Sequence, residues 1–90
     1  MGISREQIVE YLDSIGESAL LFDGTDDALI GFTNRANSPL LAVYDYNKLI
    51  DVFMNDGMTY EDALEWVDFN IVGAWLGEGT PIIVMPFLEE

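Results

Sequence analysis

Apolar spacing, turn formers and helix caps predict a small α+β domain with elements in the order α-β-β-α-α-β, its sheet about three-stranded, mostly antiparallel and covered by helices. Three observations carry this. Ser4, Asp45 and Thr59 each stand before a segment whose apolar residues recur at helical spacing. Two short apolar segments flank a loop rich in turn formers. A continuous apolar run of strand length lies near the end of the chain. Residues 1–90 suit a single domain with one hydrophobic core. Half the residues are hydrophobic, far too many for a disordered chain.

The first helix opens at Ser4, with Gln7 three residues on completing a capping box and Ile3 and Ile8 at the staple positions. Ile8, Leu12 and Ile15 recur at helical spacing, Val9 and Tyr11 widen the apolar face, and Gly16 is a natural stop. Leu20, Leu21 and Phe22 call for burial in a helical turn or short extended piece; Asp23-Gly24 then marks a turn and a polar loop through Asp27. Ala28–Asn34 and Leu40–Asp45 read as a hairpin around Arg35–Pro39. Alternation puts Leu29, Gly31 and Thr33 on one face of the first strand and Ala28, Ile30 and Phe32 on the other. In the second strand Leu41 and Val43 oppose Leu40, Ala42 and Tyr44. Both faces are apolar. One suits the core, and the other calls for cover from the rest of the chain or from a partner.

Asp45 caps a second helix, Tyr46–Asp56, with Tyr46, Leu49, Ile50 and Phe53 as its buried stripe and Gly57 as its stop. Thr59 opens a third, with Asp62 at the capping-box position and Glu61 and Asp62 suiting the helix dipole. Leu64, Val67, Ile71 and Trp75 form its apolar face, with Tyr60 at its start and Ala63, Trp66 and Phe69 widening the arc; it stops between Val72 and Leu76. Gly73, Gly77 and Gly79 end it and form a tight turn. Pro81–Phe87 is apolar on both sides, which predicts a strand at the middle of the sheet or at a dimer seam.

Seventeen acidic residues face three basic ones, and the net charge is −14. Nucleic acid binding needs Lys or Arg to displace counterions, and Arg5, Arg35 and Lys48 are scattered, so no basic stripe forms. Anionic membranes are disfavoured by the same repulsion. Met1-Gly2 opens like a myristoylation signal, but Glu6 stands where Ser or Thr is required. The N-terminal segment interleaves charged and apolar residues, unlike a signal peptide, and the expected location is the cytoplasm.

Histidine and cysteine are both absent, which removes the commonest bases, thiol nucleophiles and zinc ligands. Asp23, Thr25 and Asp27 alternate like the opening of a calcium loop, but Ala28 replaces the required Gly and Asn34 the closing Glu. The glycines at 73, 77 and 79 follow a helix with no Lys after them, unlike a phosphate cradle. Asn70 reads as a structural amide that ties the sheet or the Gly73–Gly79 turn in place, or as one that faces water at the edge of the stripe. The expectation is a non-enzyme with no catalytic residue, cofactor or metal. Its candidate interaction residues are Glu61, Asp62, Glu65 and Asp68 on the third helix, with Trp66 as an aromatic anchor.

A set of strings extends across the chain: Asp23-Gly-Thr-Asp-Asp-Ala-Leu-Ile-Gly31, Leu41-Ala-Val-Tyr-Asp-Tyr46, Asp56-Gly-Met-Thr-Tyr-Glu-Asp-Ala63, Glu65-Trp-Val-Asp-Phe-Asn70, Gly73-Ala-Trp-Leu-Gly-Glu78 and Thr80-Pro81. Together they resemble a group of short acidic proteins of unknown function from bacteriophages and some bacteria. The resemblance covers about residues 4 to 84. It implies a phage or mobile-element setting in a bacterial cytoplasm, and carries over no residue roles. The functional expectation is an acidic protein-interaction module, in its phage setting a modulator or inhibitor of a host protein with a basic surface. In one version the carboxylates act as a decoy for nucleic acid. The alternative is a self-associating accessory protein, a homodimer that covers the second apolar sheet face.

Overall fold

The computed structural model describes residues 4–33 and 39–87. Their elements are α1 (Arg5–Ser14), β1 (Leu29–Thr33), β2 (Leu41–Asp45), α2 (Tyr46–Asn55), α3 (Tyr60–Val67) and β3 (Ile82–Val84). The α+β class and the α-β-β-α-α-β order are those read from the sequence. Ile3 and the centre of the hairpin loop, Arg35 included, lie outside the described residues.

Local chemistry sets the helix ends. Gln7 N–H donates to Ser4 Oγ at 3.1 Å while Ser4 N–H donates to Gln7 Oε1 at 2.9 Å, closing the capping box. Lys48 N–H donates to Asp45 Oδ1 at 3.0 Å, and Asp62 N–H to Thr59 Oγ1 at 3.1 Å. Helices α1 and α2 end alike. Glu17 N–H reaches back to Leu12 O and Gly16 N–H to Asp13 O; Met58 N–H reaches Phe53 O and Gly57 N–H reaches Met54 O. These closures put Gly16 at φ 71° and Gly57 at φ 110°, left-handed backbone that glycine adopts without steric cost.

The sheet order is β1-β2-β3, with β1 antiparallel and β3 parallel to β2, so the sheet is mixed. The hairpin pairs Leu29 with Tyr44, Gly31 with Val43, Phe32 with Ala42 and Thr33 with Leu41. A register shift between Leu29 and Gly31 corrects the simple alternation. The extra residue, Ile30, lets Leu29 and Phe32 share one face with Ala42 and Tyr44. The last strand occupies an edge, which corrects its expected central place. The chain crosses over through α2 and α3 and returns on the free side of β2, pairing Val43 with Ile82 and Asp45 with Val84. Its continuous apolar run reflects a sheet apolar on both sides.

The core lies on one face. Ala42 and Tyr44 pack there with Ala28, Leu49 and Ile50 of α2, and Ala63, Val67 and Ile71. Leu29, Phe32 and Ile83 lie half-buried against them. Leu41, Val43, Ile82 and Val84 fall on the opposite face, outside that cluster; Ile82 and Val84 are 39% and 37% exposed. The buried face of the third helix is the narrow row Ala63, Val67 and Ile71. Beyond Val67 the chain widens into a π-helical turn, Asp68–Val72, closed by Gly73 N–H donating to Asp68 O at 3.1 Å. A regular α-helix drifts by about 40° at each four-residue step, and the wider turn counters that drift so that Ile71 still meets the core. Phe69 and Trp75, expected to be buried, are 78% and 76% exposed, because the row is narrow and the helix stops at Gly73, before Trp75. Ile15 is half-exposed because it is the C-cap of α1.

Helix α1 buries Ile8 and Leu12 and stacks Tyr11 on Phe32, with ring centroids 5.8 Å apart. Arg5 anchors it: Nη2 donates to Asp26 Oδ1 and to Phe22 O, each at 2.9 Å, and Nε donates to Asp26 Oδ2 at 3.1 Å. The hydrogen bond to Asp26 raises the guanidinium pKa further, outweighing the cost of partial burial. Replacing Arg5 by Ala removes a two-pronged, partly solvated pair worth about 1 kcal/mol. Amide hydrogen exchange should rise in α1 before it rises in α2, α3 or the sheet. Equal acceleration throughout would show that α1 is no separate unit.

Candidate protein-interaction surface

The outer side of α3 is built by exclusion. Once Ala63, Val67 and Ile71 face the core, positions 62, 65 and 69 fall on the opposite side and 66 and 70 on the flank beside them. Asp62, Glu65, Trp66, Phe69 and Asn70 line one shallow groove there, of about 170 Å³. The structure thus brings together three of the residues expected from the sequence, Asp62, Glu65 and Trp66. Glu61 is exposed in the first turn but does not line the groove.

Asp68 is exposed and already engaged: Tyr46 Oη donates to Asp68 Oδ1 at 2.8 Å, tying α2 to the start of the π turn. Partial burial, then this hydrogen bond and the charge of Asp68, push the Tyr46 hydroxyl from 10.0 up to about 12, with Tyr60 adding to the shift. Asp68 is therefore as much a fastener as a surface charge.

Trp66 is 44% exposed and backed by Phe53, at a ring-centroid separation of 6.1 Å. Phe69 projects further. Asn70, read from the sequence as structural, donates through Nδ2 to Trp66 O at 3.2 Å, so its carboxamide folds back on its own helix. Phe69, which the sequence reading places with Trp66 on the widened apolar arc, instead joins it on this surface, and Asn70 lines the groove beside them. Their signal was the stripe at positions 62, 65, 66, 69 and 70, readable only if the buried arc is taken as narrow.

No Lys or Arg follows Lys48 in the chain, so the carboxylates of α3 have no basic residue on their own stretch. Among the described residues the ion pairs are those of Arg5 with Asp23 and Asp26. The glycine-rich segment after the helix is a fastened turn: Leu76 N–H donates to Thr80 Oγ1 at 2.7 Å, and that hydroxyl donates to Gly77 O at 2.6 Å. The calcium-like string is also in structural use. Asp23 lies 3.9 Å from Arg5, and Thr25 is buried with its hydroxyl donating to Phe22 O. Among the described residues no helix is long and apolar enough to cross a membrane, and no cluster of three or more acidic side chains is arranged to hold a metal ion. Comparison with protein-family models, with curated proteins and with solved structures finds no match.

The raised Tyr46 hydroxyl predicts a pH window. Its neutral form is favoured in the fold, so the stabilisation is complete below pH 10.0 and is lost as pH rises through about 12. In ring-carbon NMR the Tyr46 midpoint should lie above 10.0, and Asp68→Asn should bring it down. An unchanged midpoint would show that Asp68 contributes nothing to the shift.

Proposed function

We propose that this protein is a non-enzymatic interaction module of the bacterial cytoplasm that engages a protein with a basic surface. One observation carries the reading: the outer side of α3 presents exposed aromatic rings among carboxylates that, among the described residues, pair with no Lys or Arg. Aromatic anchors supply contact area, and uncompensated charge steers a basic partner toward them. The carboxylates of α1, α2 and the loops extend the negative field that draws the partner in. The phage-like setting implied by the sequence resemblance makes a host protein the natural target. In the decoy version, the carboxylates occupy that protein's nucleic-acid groove.

Proteins retained on the immobilised domain from a bacterial lysate should be basic and should elute as salt rises. A variant carrying Glu61→Gln, Asp62→Asn, Glu65→Gln and Asp68→Asn should lose them. Competition by added DNA or RNA supports the decoy version. Partners that resist salt and ignore the four substitutions would sink the reading.

A second reading, self-association, rests on the open sheet face. Leu41, Val43, Ile82 and Val84 form an apolar surface outside the core, and on these three strands its one carboxylate is Asp45, at an end. Two chains of charge −14 repel least when such a face lies between them. Sedimentation equilibrium should then show a concentration-dependent dimer that Ile82→Lys abolishes. A monomer at every concentration removes this reading.

A further inference from the structure

The groove on α3 has a composition that selects among basic partners. Two aromatic rings, Trp66 and Phe69, and two carboxylates, Asp62 and Glu65, line it together. Phe53 supports the Trp66 ring from behind, so the indole is held against α2 while it remains 44% exposed. The hydrogen bond from Asn70 to Trp66 O keeps that amide folded on its own helix. Asp68 is turned to Tyr46, which leaves Asp62 and Glu65 as the carboxylates lining the groove.

Resting on the reading above, we propose that this groove receives an arginine side chain of the partner protein, its guanidinium plane stacked on Trp66 and Phe69 and its N–H groups donating to Asp62 and Glu65. A purely apolar anchor would strip water from the two carboxylates and return no hydrogen bond. An anion is repelled by the whole molecule. Between the two cations, lysine carries a compact, strongly hydrated charge. A guanidinium is planar and more weakly hydrated, so it satisfies an aromatic face and a carboxylate edge at once.

The test uses the full chain with Trp75→Phe, which leaves Trp66 as the single indole reporter. The probe is a synthetic amphipathic helical peptide with arginines on one face, compared with the same peptide carrying lysines. The arginine peptide should bind about five- to tenfold more tightly. It should shift the Trp66 indole and Phe69 resonances in NMR. Phe69→Ala, at a position with little burial to lose, should erase the preference while leaving salt-sensitive binding of both peptides. Trp66→Leu, checked for an unchanged circular dichroism spectrum, should do the same. Equal affinity for the two peptides, or shifts confined to other surfaces, overturns the arginine site and leaves the basic-partner reading standing. Failure of both peptides to bind at low salt overturns both.

Discussion

The fold turns on a tyrosine hydroxyl that must be paired. Tyr44 is wholly buried at the centre of the sheet, and its hydroxyl accepts a hydrogen bond from Phe22 N–H at 3.0 Å. A buried hydroxyl without a partner costs on the order of 1–3 kcal/mol, so this bond fixes where the otherwise irregular segment before β1 runs. The opposite side of the same residue does further work. Phe22 O accepts from Arg5 and from the buried Thr25, and Asp26 completes the grip on Arg5. One residue of loop thereby joins the central strand, the turn into β1 and the first helix. The Phe22 ring adds to the joint by packing against Tyr44, with centroids 5.5 Å apart.

Around that joint the molecule is two-sided. The core unites one sheet face with α2 and α3, and the exposed carboxylates of the helices lie beyond it. The other sheet face carries half-exposed aliphatic side chains and, on its strands, Asp45 alone among the acids. A water-facing sheet surface ordinarily alternates to polar residues, and this one does not. The two proposed modes of association divide along that line. Charge and aromatic rings serve a basic partner on the helical side, whereas apolar area serves a second copy on the sheet side.

The third helix shows how a small change in backbone geometry creates a surface. Ala63 keeps the buried row slim, and the π turn holds Ile71 on it. Aromatic residues that a wider buried face would have absorbed are left outside, beside acids. Such turns occur frequently at functional sites in other proteins. Here the consequence is mechanical: the turn carries Phe69 and Asn70 next to Trp66, and its first residue, Asp68, is locked to α2 by Tyr46.

The sequence by itself determined the class, the order of elements, the three N-caps and the glycine stops. All of these depend on contacts within a few residues, such as Ser4 with Gln7 or Gly57 with Met54. It also determined the charge, and with it the candidate acids of α3. Only the tertiary structure decided which strand is central, that Ile30 is the extra residue of the hairpin, and that Phe69 and Trp75 stay outside. Apolar periodicity says that a side chain favours burial, but the number of neighbours available to bury it is a property of the assembled layers. Three short strands and two helices over one face supply too few for every aromatic and aliphatic side chain this chain carries.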